Sequence, residues 1–440
     1  MKINKLTIIA LLCPALCQAQ AQNTELTGQI LANPFFSDSS LDLSFRNYWK
    51  YLKEDGANPK TVHAAWGQGV TLDYQSGYLA DIIGVDLSWY NAIKLGASDY
   101  FNSRGILYSN GSGNHKHNAT GYSKIGQRYI KLKLESEHLR FNGKAGWQML
   151  RDYGVVTTSR RLSPTTYLGW SGDLALDNVS LRVAWLTRSL RRDSPDKTTF
   201  QTNDGRNIDH LYSASLLYRG EALKVQYGFG ESDGYLRRQL LLLDMALSPQ
   251  LSAGAQIYAT EALDSYQAMA ASKRDFDHHA RHYAVDVSWK HDRWHSKWGL
   301  GYTDASKQDA VGFYPRHMSK NSRGTFPSMA TAGEDYMRDK EWMLATMTDY
   351  RLTPELTAGL AANAGRFSYR GQHVITGEVN LYGRWTPSHP ALKNLTVWAM
   401  AGPGWSYKNV KRTPIIRDGH YQRAHSLAGE VIIDYRFKLL

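Results

Sequence analysis

Cysteine is nearly absent from this chain of 440 residues: only Cys13 and Cys17 occur, both within the first seventeen positions. The remainder therefore holds no thiolate nucleophile, zinc ribbon or disulfide framework. Long apolar runs are missing too. After residue 21 nothing approaches the roughly 18 uninterrupted apolar residues of a membrane-crossing helix, and the mean hydropathy of −0.47 is that of a polar chain. No proline-rich linker, low-complexity tract or internal repeat divides the sequence, which reads as one domain. What is abundant is the aromatic ring with a polar handle. The 27 Tyr and 13 Trp against 12 Phe suit a boundary between apolar and wet surroundings.

The first 21 residues read as an export signal. Lys2 and Lys5 precede an apolar core from Leu6 to Leu16, and Ala19, Gln20 and Ala21 form a small-x-small cleavage site,. Residues 1–21 are expected to be removed and residues 22–440 to form a single domain that begins at Gln22. That mature chain is cysteine-free, with 50 basic against 40 acidic residues. In an oxidising compartment its stability then rests on hydrogen bonding and packing alone.

Beyond the signal, apolar and polar residues alternate with period two, the mark of strands with one wet face. Leu41, Leu43, Phe45 and Trp49 alternate with Asp42, Ser44, Arg46, Tyr48 and Lys50; Val431, Ile433, Tyr435 and Phe437 oppose Glu430, Asp434 and Arg436. The rhythm predicts eighteen strands, from 41–52 to 425–438, with weak alternation over 236–247, 340–350 and 394–406. Connections alternate in size. Short turns fall at Gln75 to Tyr78, Leu176 to Val179, Arg219 to Ala222, Ser248 to Leu251, Lys290 to Arg293 and Thr353 to Leu356. Long loops fall at 96–123, 149–164, 189–208, 261–279, 303–339 and 407–424.

A soluble sandwich would also alternate, but short turns at one end and long loops at the other are the pattern of a transmembrane barrel. Aromatic residues gather at strand ends, as interfacial girdles require: Trp289 and Trp294 flank one turn, and Trp49 and Tyr51 close the first strand,. In hydrocarbon every backbone donor and acceptor must be paired internally, so the sheet has to close. The expected fold is an all-β, 18-stranded antiparallel transmembrane β-barrel with short periplasmic turns and long extracellular loops. A lumen of that girth admits water, which makes a channel the function implied by the architecture.

Specific residues carry a resemblance. The N-terminal block runs from Phe36, Asp38 and Ser39 through Phe45, Arg46, Asn47 and Tyr48 to Trp66, Gly67 and Gln68. It continues in Asp73, Tyr74, Gln75, Ser76, Gly77 and Tyr78, then Gly84, Val85 and Asp86. A second block is Arg161, Leu162, Ser163, Pro164, Thr165, Thr166, Tyr167, Leu168 and Gly169. The sequence resembles the outer-membrane porin D (OprD) family, and Asp73 to Tyr78 with Ala80 and Asp81 is similar to its chitoporin-like branch. One departure is that Phe437, where a final Phe is usual, is followed by Lys438, Leu439 and Leu440. The resemblance implies an eighteen-stranded barrel, a third loop folded into the lumen and a ladder of basic side chains along the wall.

With apolar residues facing lipid, parity turns Arg46, Lys131, Lys133, Arg182, Lys224, Lys290, Lys297, Arg384 and Arg436 inward, opposed by Asp42, Asp73, Asp86, Asp286, Glu378 and Asp434. A cationic wall focuses potential for an anion, although charges on a wet face need no other reason than solvation. Arg160 and Arg161 are the leading constriction residues, because a guanidinium fork holds a carboxylate or aligns sugar hydroxyls. Ser163, Tyr153 and Tyr167 accompany them, the two rings as candidate stacking surfaces for a pyranose or as packing residues. Asp86, Arg46, Lys131, Lys133, Arg182, Lys224 and Arg384 complete the candidate path.

Two histidine groups, His278 with His279 and His282, and His115 with His117, have metal-ligand spacing but no carboxylate shell. No metal or cofactor is expected, and no converging Ser/His or Asp/His set is found at compatible parity. The leading function is passive diffusion of chitooligosaccharides or other small sugars, or of small carboxylates and amino acids. The alternatives are a barrel-embedded outer-membrane hydrolase and an adhesin. Expected partners are the small-molecule substrate, outer-membrane lipid and lipopolysaccharide, and the barrel-assembly machinery. Nucleic acid is not among them, because the basic residues are dispersed, and the expected state is a monomer or a loose homotrimer.

Overall fold

The computed structural model describes residues 33–55, 61–97, 105–109, 119–322, 336–410 and 412–440. Among them, eighteen long antiparallel strands form the wall. The first nine are β1 (Ser40–Glu54), β2 (Thr61–Gln75), β3 (Ile83–Ala97), β4 (Tyr122–Glu135), β5 (Leu139–Gln148), β6 (Thr166–Leu176), β7 (Val179–Leu190), β8 (Leu211–Arg219) and β9 (Leu223–Ser232). The rest are β10 (Leu236–Ala246), β11 (Leu251–Ala262), β12 (His279–His291), β13 (Trp294–Asp304), β14 (Trp342–Arg351), β15 (Leu356–Tyr369), β16 (Gln372–Trp385), β17 (Leu395–Tyr407) and β18 (Arg423–Lys438). Each pairs with its sequence neighbour, and β18 returns to β1 in unbroken register from Asp42↔Lys438 to Glu54↔Ser426. Closure leaves no edge strand.

The outer surface carries the apolar half of the alternation: Val85, Leu87 and Trp89 of β3, Leu132 and Leu134 of β4, and Val285 and Val287 of β12 are all exposed. A soluble sandwich would bury these side chains; a barrel in lipid does not. Rings pair near the strand ends, as with Trp294 and Tyr350 at 4.7 Å and Tyr302 and Trp342 at 4.7 Å.

Where alternation is weak, the structure supplies the reason. Leu240 and Leu242 of β10 turn inward, Leu240 into a cluster with Val156, Tyr258 and Met318 and Leu242 against its edge. The strand is apolar on both faces because its inner face is covered by loops. In β14, Met343 and Ala345 are buried inward with Tyr336. In β17, pairing with β16 lapses between Glu378↔Gly404 and Leu381↔Ala401, where Pro403 has no amide to donate.

The ends differ from expectation in two respects. Connections at the long-loop end include three short ones, 55–60, 233–235 and 370–371, so the size alternation is looser than the sequence suggests. The strand expected from residue 79 starts at Ile83, because Ala80 and Asp81 take positive φ of 51° and 59°. A short helix, Pro34–Ser37, docks on this turn: Gly77 donates its amide to the Phe35 carbonyl at 2.9 Å. Only glycine fits there, since a Cβ would lie 1.9 Å from the Pro34 oxygen.

Candidate functional site

The third long-loop-end connection, residues 149–165 (loop 3), folds inward and braces against the wall at two places. At one, Val155 donates its amide to Ser213 Oγ at 2.9 Å, and Ser213 donates in turn to the Tyr153 carbonyl. Here the inner face of β9 presents Gly228 and Gly230; a Cβ on the first would lie 2.9 Å from Gly154 Cα, and on the second 2.3 Å from Val155 Cγ2. At the other, Leu162 lies against Gly67 and Gly69 of β2, where added Cβ atoms would come within 2.5 Å of its Cδ1 and 2.9 Å of its carbonyl oxygen. Two Gly-x-Gly pairs at inward parity thus flatten the wall where the loop lands. The role of these glycines as landing sites for the loop was missed in the sequence, although glycine two apart on the inward parity of a strand is a signal for close approach.

Loop 3 is further locked to the loops beside it. Ser163 is buried, its hydroxyl 3.1 Å from Tyr122 Oη and donating to the Arg192 carbonyl at 2.8 Å. Asp193 accepts from Gly105 at 2.9 Å and from Arg191 Nη2 at 2.7 Å. Burial raises the Asp193 pKa, but Arg191, the Gly105 amide and Arg192 outweigh it and hold the carboxyl below its ordinary range. Tyr167 is 0% exposed and donates to the Thr157 carbonyl at 3.0 Å, so it supports the loop and offers no ring face to a sugar. Tyr153 is half-buried, with the Arg182 guanidinium 6.0 Å from its ring centre.

Facing the Leu162 end of loop 3 are β1 and β18. Arg161 and Arg46 stand 6.0 Å and 5.8 Å from the Tyr48 ring centre. Tyr48 donates to Glu430 at 2.5 Å, and Lys50 pairs with Glu430 at 3.1 Å. Arg160 is solvent-exposed although protein surrounds it. Enclosure, and then the like charge of Arg46, lower the pKa of its guanidinium, opposed by Asp434 and Tyr90, with Arg436 adding to the repulsion. A mobile anion would relieve that repulsion.

The other wall cations are mostly answered by carboxylates. Arg46 meets Asp434 at 2.9 Å, Lys131 meets Asp86 at 2.7 Å, and Arg182 meets Asp173 at 2.9 Å. Lys133 meets Glu135 at 3.3 Å, Lys224 meets Asp244 at 3.6 Å, and Lys297 meets Asp286 at 3.1 Å. Lys131, Lys133 and Asp86 gather near the first turn, where Lys131 donates to the Ser76 carbonyl at 2.7 Å. Lys224 and Arg384 lie at the short-turn ends of β9 and β16, away from loop 3. Among the described residues, Arg160 has no carboxylate within ion-pairing distance. The candidate path therefore combines paired wall charges with cations that no described carboxylate pairs, Arg160 on loop 3 and Arg436 on β18 among them.

Tertiary register also assembles a set that parity did not reveal. Ser288 Oγ lies 3.1 Å from His295 Nε2, His295 Nδ1 lies 3.3 Å from Asp349, and Tyr382 donates to that same carboxylate oxygen at 2.7 Å. The order matches a nucleophile, base and orienting acid. The other requirement of acyl transfer is amides aimed at an oxyanion. Ser288 sits mid-strand, in register with Ser252 on one side and Lys297 on the other, so the ladder consumes the amides around it. His282 of the histidine group is buried, with Nδ1 2.9 Å from Thr303 Oγ1, and His115 and His117 lie outside the described residues. No group of three metal-ligating side chains occurs among those described.

Residues 33–372 match the family described as outer membrane porin, OprD family. The chain is 24% identical over 248 residues to the chitoporin of Escherichia coli, covering 52% of each chain. It is 37% identical over 103 residues to porin D of Pseudomonas aeruginosa, covering 22% of this chain and 23% of that one. The matches thus span about half, and about a quarter, of those relatives. Among solved structures it is similar to Acinetobacter baumannii OccAB3, with a TM-score of 0.72 and 18% identity over 92% of this chain and all of that one. It is similar also to P. aeruginosa OpdK crystallised with vanillate, with a TM-score of 0.67 and 17% identity over 92% of this chain and all of that one.

Proposed function

Because this chain belongs to the OprD family of outer-membrane porins, we propose that it is a passive channel of the Gram-negative outer membrane that prefers small carboxylates, amino acids among them. The observation that carries the preference is Arg160: an inward loop holds an arginine with no described carboxylate within ion-pairing distance, beside Arg46 and Arg436. Wall pairs such as Lys131 with Asp86 present little net charge to a passing ion, so discrimination falls to the loop. One chain encloses its own lumen, and solute crosses by diffusion without bond making or energy input. Transport of small sugars is the second reading, favoured by the likeness to a chitoporin.

The test is single-channel current of purified protein in a planar bilayer. Reversal potentials on the anion side and block by benzoate are expected. Block by chitohexaose without block by benzoate would move the assignment to the sugar branch, and absence of current steps would overturn the channel reading.

A further inference from the structure

We propose a second solute site, apart from the Arg160 path: the cavity behind loop 3 binds a small amphipathic carboxylate, a single aromatic ring or a short alkyl chain bearing one anionic end. The cavity has a volume of about 220 Å³ and lies between loop 3, the inner faces of β10 and β11, and residues 316–318 and 322 of the connection after β13. That is below the roughly 300–1,000 Å³ of sites for drug-sized ligands, which limits the occupant to one ring or a short chain. Val155, Val156, Leu240, Leu242 and Met318 make most of its lining apolar.

Arg238 supplies the anionic preference. It is 2% exposed and lines the cavity. Its Nε donates to Thr260 at 2.8 Å, Nη1 donates to the Arg316 carbonyl at 3.2 Å, and Nη2 donates to the Pro315 carbonyl. The guanidinium stands 5.1 Å from the Tyr314 ring centre. These bonds use three of the five donors of a guanidinium, and every acceptor is neutral. Among the described residues no carboxylate lies within ion-pairing distance of Arg238. A cation withdrawn from water without a counter-ion is costly, and an anion in the adjoining space would lower that cost. Asp152, which also lines the cavity, is already engaged by Arg182 at 3.6 Å and Arg219 at 3.9 Å. Apolar walls next to an uncompensated buried cation select for a molecule with both characters, whereas inorganic anions satisfy only one of them.

The experiment is equilibrium dialysis of radiolabelled benzoate against the detergent-purified full chain, wild type, Leu242→Trp and Arg160→Ala. The indole of Leu242→Trp fills the cavity and leaves the Arg238 hydrogen bonds in place. At least a tenfold loss of benzoate affinity at one site is expected for Leu242→Trp, with that site retained in Arg160→Ala. Unchanged binding in Leu242→Trp, or loss of all binding in Arg160→Ala, would overturn the site. Competition on the Arg160→Ala protein covers the case in which the tryptophan variant does not fold: hexanoate should displace benzoate, and equal displacement by benzylamine would overturn the role of Arg238. Conductance in potassium chloride is recorded separately, so failure of the channel reading and failure of this site are told apart.

Discussion

Replacing Arg160 with alanine should shift the channel toward cations by an amount the structure sets. Near it Arg46 is paired with Asp434 at 2.9 Å and Lys50 with Glu430 at 3.1 Å, so these pairs change little and the variant removes one cation from a cluster that also holds Arg161 and Arg436. For an anion passing about 7 Å from the guanidinium, with an effective dielectric constant of about 40 to 80, the lost attraction is ~0.6–1.2 kcal/mol, or about threefold to sevenfold in anion partition. The assay is the reversal potential across a tenfold potassium chloride gradient. The shift should be largest in dilute salt and fade at 1 M, where the screening length falls to about 3 Å. Lys297→Gln combined with Asp286→Asn is the control: it removes a wall pair of opposite charges and should leave the reversal potential near the wild-type value. An Arg160→Ala potential indistinguishable from that of this control would refute the role given to Arg160.

Further expectations follow from the docking and the charge network. Gly228→Val places branched carbons where Gly154 Cα already lies 2.9 Å from a Cβ position, so loop 3 should detach, with larger and noisier single-channel conductance; a quiet, wild-type conductance would mean that the loop does not narrow the pore. The Asp193 carboxyl is held below its ordinary range, so its tie to Gly105 and Arg191 is present at neutral pH and is lost only as pH falls through the lowered value. Protease access at residues 105–109 should therefore rise only below about pH 3.8, the ordinary value for this group, and Asp193→Asn should raise it already at pH 7. Ser288, lacking oxyanion donors, should resist fluorophosphonate labelling; labelling abolished by His295→Ala would contradict that.

Period-two alternation determined the strand number, the direction of each side chain and the apolar outer face, because side-chain direction along a strand is a local property of the backbone. It also marked 236–247 and 394–406 as irregular, and the sequence resemblance pointed to a loop in the lumen. What local pattern could not supply is which charges meet. Arg46 and Asp434 are 388 positions apart, and whether an inward arginine is neutralised depends on the register of two strands that touch only when the barrel closes. Loop docking was hidden for a related reason: Gly67, Gly69, Gly228 and Gly230 acquire meaning only once Leu162, Gly154 and Val155 arrive against them. Tyr167 shows the same dependence, since an aromatic ring beside a loop faces the lumen or the packing according to how the loop folds over it. The cavity beside Arg238 is the furthest from sequence, being the space left between two wall strands and two loops whose separations are set by long-range packing.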